Sequence, residues 1–275
     1  MKTLTNYINE AIKIGNSASN ISIYTCQPKD KKELQDIIQK RILDEGYECN
    51  LNDIDTSLIE DMSHMFIKSD FNGDISKWDT SNVKNMSYMF IHSKFNGDIS
   101  EWNVSSVYNM SYMFYKSKFN GDISGWDVSS VYNMSSMFAN SLFNGDVSKW
   151  DTSKVKNMSS MFAESKFNGD ISNWDVSSVR YMAWMFYKSE FNGDISRWDV
   201  SSVKDMNNMF NDSKFNGDIS EWDVSKVKYM DYMFKESKFN HDISNWDLLD
   251  GCDTIDMFGG CPIKEEFKPK SLQKK

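Results

Sequence analysis

The chain has 275 residues, and its 40% apolar share is enough to build a dry core in one large domain or two small ones. Its net charge of -9 and pI near 4.9 oppose a nucleic-acid partner, because an acidic surface repels phosphate backbones. No apolar run of about 18 residues occurs, so no membrane span is expected.

Residues 1–20 lack the apolar stretch and cleavage site of a secretory signal, and no lipobox is visible. A cytoplasmic or a released, virion-associated location is expected. The four cysteines are too few for a disulfide framework. Reduced thiols are expected, although Cys252 and Cys261 could pair in an exported protein.

Residues 1–46 form a head that does not repeat. Leu4, Ile8, Ala11 and Ile12 have helical spacing over 4–14. Residues 21–25 alternate like a strand, and 31–43 read as an amphipathic helix with Leu34, Ile37, Ile38 and Ile42 on one face. This α/β head is either a cap over the first repeat or a tag that docks the chain to an assembly.

From residue 47 to 263 the sequence repeats every 24 residues. The run that starts at Phe71 returns at Phe95, Phe119, Phe143, Phe167, Phe191 and Phe215, so seven full units span 71–238. Degenerate units at 47–70 and 239–263 flank them, as a stack needs at ends that face water. Residues 264–275 are a lysine-rich tail. Positions in any unit are named here as slots, numbered by the unit that begins at Phe71.

Slots 86 and 89 hold 17 of the 18 methionines, slots 71 and 90 hold 17 of the 18 phenylalanines, and slot 78 holds eight of the nine tryptophans. Trp184 is the exception. Nearly every large apolar residue is thus committed to a structural column, which leaves few to line a private active site. Residues 74–78 follow a turn and predict one short strand per unit. Such strands, paired in parallel, would build a stack of roughly 40 Å. Val83, Met86, Met89 and Phe90 fall on one face of a short α or 3₁₀ segment, which Ser81 would cap. The expected fold is a repeat solenoid, with one short parallel strand and one short helical segment per coil.

These units resemble the repeats of BspA-type leucine-rich-repeat surface proteins, also described as mycoplasma lipoprotein-associated repeats. The resemblance is carried by Phe-Asn-Gly-Asp-Ile-Ser-x-Trp-Asp-Val-Ser-x-Val-x-x-Met-x-x-Met-Phe over residues 47–263. It implies a leucine-rich-repeat-like right-handed solenoid and a role in adhesion or protein–protein contact. It implies a bacterial surface location, with related repeats in phage genomes, and brings no catalytic residues.

Slot 74 is Asp in eight units: Asp74, Asp98, Asp122, Asp146, Asp170, Asp194, Asp218 and Asp242. One reading is that each carboxylate shapes its own turn by accepting a backbone hydrogen bond. The other is a row of Ca²⁺ sites between coils. The histidines, His64, His92 and His241, have no metal-ligand spacing, and no phosphate loop or nucleophile motif occurs. No enzymatic activity and no cofactor are expected.

Recognition has a better candidate. In repeat proteins the invariant slots build the core and the variable ones carry function. Slots 84, 88 and 91 vary, and helical spacing puts them on one face. They carry Tyr88, Tyr108, Tyr112, Tyr115, Tyr132, Trp184, Tyr187 and Tyr232, interleaved with lysines. Such aromatics suit a protein interface or a sugar ring; alternatively they only pad an outer wall. The variable slot 77, on the expected strand, is a second candidate surface. Two functions follow: a binding module for a protein or glycan, or a structural component of a phage particle or other assembly in which the head docks and the repeats act as a spacer.

Overall fold

In the computed structural model, residues 24–274 are described; the expected helix over 4–14 and residues 21–23 of the expected strand lie outside them. The first helix among the described residues is α1 (Lys31–Glu45). The Asp30 carboxylate caps it by accepting the Glu33 N–H at 2.9 Å, and Gly46, with φ 90°, ends it. Leu34 and Ile38, one turn apart, are buried against the first repeat. Arg41 joins helix to repeat, reaching both Asp53 carboxylate oxygens at 3.0 Å and the Asn50 carbonyl at 2.8 Å.

Each unit then bonds to the next in a fixed 24-residue register. In the unit from Phe71, the N–H groups of Met86, Tyr88, Phe90 and His92 donate to the carbonyls of Asn109, Ser111, Met113 and Tyr115, all at 2.9 Å. The Lys84 N–H turns the other way, to Glu60 of the preceding unit, at 2.8 Å. Residues between these donors bond locally: Met89 N–H to Met86 O and Ser93 N–H to Phe90 O. Parallel bridges link Asp61, Asn85, Asn109, Asn133, Asn157, Tyr181, Asp205, Tyr229 and Asp253 in one continuous line.

The bridge that recurs from unit to unit therefore falls on 84–92; at the strand expected over 74–78 the described residues show one bridge, Asp74 with Asn50, where the Leu51 N–H donates to Asp74 O at 2.9 Å. The reason lies in which donors are already taken. Within 74–78 the Asp74 Oδ1 accepts the Ser76 N–H at 3.0 Å, and the Ile75 carbonyl accepts the Trp78 N–H at 3.2 Å. That carbonyl also accepts the indole Nε1–H of Trp102, from the next unit, at 3.1 Å. With these groups committed to local turns and to an indole, the Asn50–Asp74 pairing is not repeated in the later units.

The helical segment expected over 83–90 is not formed either. Slot 88 is left-handed in every unit, from His64 (φ 62°) through Trp184 (φ 62°) to Asp256 (φ 48°), and slot 92 likewise from Lys68 (φ 51°) to Gly260 (φ 68°). A left-handed residue twice per unit rules out a right-handed helix and turns alternate N–H groups outward to the neighbour. Ser81 is no helix cap: its N–H and hydroxyl both donate to Asp79 Oδ1, at 3.0 and 2.6 Å.

The core is a set of parallel side-chain columns. Phe90 stacks on Phe95 of its own strip at 4.5 Å, and on Phe66 and Phe114 of the adjacent units at 5.4 and 5.6 Å. The methionines of slots 86 and 89 fill between the rings and are buried. From Gly73 to Gly217 slot 73 is glycine, where a Cβ would crowd the phenylalanine two residues before it, lying 2.9 Å from the Phe143 ring at Gly145; the last unit carries His241 there. At the far end the tail closes the stack: Ile243 N–H donates to Phe267 O, and Phe267 and Leu272 pack on the core. Cys252 and Cys261 are separate thiols, the former pushed up to about 11 by burial.

Gly145→Ala is expected to destabilise the protein by about 1–3 kcal/mol, as overpacking does. Gly125→Ala, which meets nothing within 4 Å, should leave denaturant midpoints unchanged. The slot-74 aspartates, held below the ordinary carboxylate range by the serine N–H two residues on, make a second test. Because the folded-state values are lowered, their contribution is complete above the unfolded value and is lost as pH falls through the folded one. Melting temperature should thus drop between about pH 5 and pH 2, and a flat profile there would remove these turns from the stability of the stack.

Candidate functional site

The left-handed backbone of slot 88 throws its side chain out of the core, and rings of neighbouring units stand closer here than in the Phe71 column. His64, Tyr88 and Tyr112 form a stack of nearly parallel rings at 4.7 and 4.8 Å. The Phe71 column, by contrast, runs from 6.2 Å between Phe71 and Phe95 to 6.4 Å between Phe95 and Phe119. Equivalent side chains are thus crowded at slot 88 and splayed at slot 71.

The slot-88 stack is interrupted. After Tyr112 it reads Ser136 and Ser160, resumes with Trp184, lapses to Asn208 and resumes with Tyr232. Slot 91 changes in step: Tyr115, Ala139, Ala163, Tyr187. The result is a groove of about 280 Å³. Its floor is Ser136, Ala139, Ser160 and Ala163; Tyr112 and Tyr115 stand at one end, Trp184 and Tyr187 at the other. Each end pair is braced ring edge to ring face, Tyr112 on Tyr115 at 5.6 Å and Trp184 on Tyr187 at 4.7 Å. Lysines stand over the slot-91 rings, Lys116 at 5.3 Å from Tyr115 and Lys188 at 5.1 Å from Tyr187.

A second, more open slot lies beyond Trp184. It is lined by Trp184, Asn207, Asn208, Asn211, Asp231, Tyr232 and Lys235. Trp184 is the shared wall of the two. Eight tryptophans of slot 78 are buried, and each donates its Nε1–H to a carbonyl of the preceding unit; Trp184 alone is 38% exposed. A larger cleft of about 650 Å³, where α1 meets the first unit, is lined mainly by long flexible side chains such as Lys32, Gln35, Gln39 and Lys68.

Of the residues singled out from sequence, the structure brings Tyr112, Tyr115, Trp184 and Tyr187 together and sets Tyr232 across the second slot. Tyr88 serves the stack from within, with a ring on each face. Tyr108 and Tyr132 line neither recess; they stand half-exposed at slot 84, whose N–H groups bond to the preceding unit. The helical spacing that groups slot 84 with 88 and 91 does not apply to this backbone. Slot 92 joins them instead, through Asn140 and Glu164. Tyr181 and Tyr229 of slot 85 are half-exposed as well; the helical spacing does not select them, and the signal for them in the sequence is their departure from a column of four asparagines.

The slot-74 carboxylates each accept a serine N–H at 2.9–3.0 Å and are spent on their turns in that respect. Among the described residues no group of three or more His, Cys, Asp or Glu side chains could hold a metal ion, and no helix is long and apolar enough to cross a membrane.

A 24-residue tandem repeat, with unit-to-unit hydrogen bonds and aromatic columns in register, is the class of protein these features define. The chain belongs to the family described as Mycoplasma protein of unknown function, DUF285, whose model matches residues 39–142, 116–212 and 187–269. No curated protein and no solved structure matches it.

Trp150→Ala, inside the ladder, is expected to cost about 3–5 kcal/mol. Trp184→Ala should leave chemical denaturation within about 0.5 kcal/mol of the parent, as a surface change outside the core does. Equal losses at the two positions would show that Trp184 is a packing residue.

Proposed function

We propose that the protein is a non-enzymatic recognition module that binds a protein or glycan ligand on slots 88 and 91. The observation that carries this reading is the interruption of the slot-88 ring stack. Two units with serine and alanine leave Tyr112 and Trp184 facing a recess with ring surface uncovered. Exposed, braced aromatic rings give contact area with little conformational entropy to lose, which is the property of interface hot spots.

In this reading the stack is a leucine-rich-repeat-like solenoid related to the BspA-type repeat proteins. The parallel 24-residue register and the crowding of units at slot 88 support it, since a splayed stack offers one narrower face. A second reading, a structural component of a larger assembly docked through its head, is favoured by the exposed Leu43, Tyr47 and Ile67, which line the cleft beside α1.

A glycan array and a pull-down from host lysate, run with the parent and with two double variants, test the proposal. Tyr112→Ala with Trp184→Ala should weaken the ligand found at least about tenfold, the scale of one or two lost ring contacts. Tyr108→Ala with Tyr132→Ala should not. A ligand indifferent to both pairs, but lost with Leu43→Glu, would move the function to the head.

A further inference from the structure

We infer that the slot between Trp184 and Tyr232 holds a single neutral pyranose ring with equatorial hydroxyls, at the end or within the chain of a glycan. This deepens the recognition reading above and rests on it.

The width comes first. Trp184 and Tyr232 leave the backbone at equivalent positions two units apart, with φ 62° and 57°. Equivalent rings one unit apart are 4.8 Å from each other at this slot, as Tyr88 and Tyr112 show. The two walls are therefore about 10 Å apart, and ring contacts form at about 4.5–7 Å between centroids, so one ring layer fits and two do not. Tyr187 braces Trp184 from the side at 4.7 Å, and Lys235 stands 5.1 Å over Tyr232.

The chemistry of the edge separates a sugar from an aromatic guest. Asn208 forms the floor between the walls and is buried. Its Oδ1 accepts the Asn211 Nδ2–H at 2.7 Å, which leaves the Asn208 amide donor and the Asn211 acceptor unspent. Asn207 lines the same slot, and its Oδ1 is buried with no hydrogen-bond partner. Such an orphan is costly, and a turn of the Asn207 amide toward an incoming hydroxyl would relieve it. Asp231 adds a carboxylate that forms no ion pair among the described residues, whereas Lys235 is already paired with Asp256 at 2.7 Å. Mixed donors and acceptors thus surround the rim of a space walled by two aromatic rings. A phenol or indole would satisfy one of these groups and strand the others. A pyranose with equatorial hydroxyls turns a C–H face to each wall and a hydroxyl to most of the rim. The unpaired Asp231 carboxylate disfavours uronic acids, sialic acids and phosphates.

Saturation-transfer NMR on the full chain, with cellobiose, N,N′-diacetylchitobiose, methyl α-mannoside, glucuronic acid and N-acetyltyrosinamide as probes, tests this. Saturation is expected on the ring C–H protons of the two β-linked disaccharides, with millimolar dissociation constants and little or none for glucuronic acid. Trp184→Ala and Tyr232→Ala should each weaken the bound disaccharide about tenfold, while Trp184→Phe keeps most of it. Asn207→Leu should weaken it with the melting temperature held or raised, since a structural role for Asn207 would lower both. Binding of N-acetyltyrosinamide but of no saccharide would overturn the sugar assignment and leave the recognition reading standing. Saccharide binding unchanged in Trp184→Ala and Tyr232→Ala would overturn the slot. No binding by any probe, with a ligand from the array still dependent on Tyr112 and Trp184, would also reject the sugar slot and retain the groove between Tyr112 and Trp184.

Discussion

The hydrogen bond from one unit to the residue 23 positions on in sequence governs this molecule. Met86 donates to Asn109 and Tyr88 to Ser111, and the same pattern passes down the chain to the last unit. Once that register is set, every side-chain column is set with it. Phenylalanine must lie on phenylalanine and methionine on methionine, because a slip of one residue would move each column out of line. The indole bond to the preceding unit, Trp102 Nε1 to Ile75 O and its counterparts, repeats the register on the other side of the core. The two sets of bonds hold each unit at two places, so its tilt relative to the next is determined.

This arrangement separates stability from recognition. The inward slots are spent on stacking, and their side chains are buried. The outward slots 88 and 92 have left-handed backbone, which costs on the order of 1 kcal/mol or more for a non-glycine residue. The register sustains it, since the alternate N–H groups reach the next unit only with those residues turned. A side chain at slot 88 is therefore free to vary without disturbing the core. His64, Tyr88, Ser136, Trp184 and Asn208 all occupy the same backbone conformation. Variation at one geometry produces a row of filled and empty positions, and the recesses beside Trp184 are the empty ones.

Acidic columns follow the same economy. Eight aspartates at slot 74 repeat on one side of the stack, a pattern that invites a metal ion. Each is instead engaged by the serine N–H two residues on, an interaction that needs no cation and that lowers its affinity for a proton.

Much of this was legible in the residues alone. The 24-residue period, the identity of the inward columns and the singular position of Trp184 follow from counting, because a column of identical large apolar residues has only the core to occupy. The local backbone did not follow. Alternation at 74–78 and the spacing of Val83, Met86 and Met89 resemble strand and helix, yet both periods arise here from consecutive turns. Whether the Ile75 carbonyl serves a strand or an indole depends on a tryptophan 27 residues away, which no local window contains. For the same reason Tyr108 and Tyr132 fall outside the recesses, and Asn207 and Asp231 of slot 87 enter one of them. Sequence alone determined which residues pack; only the tertiary register decided which outward slots become neighbours, because that depends on hydrogen bonds between units and not on spacing within one.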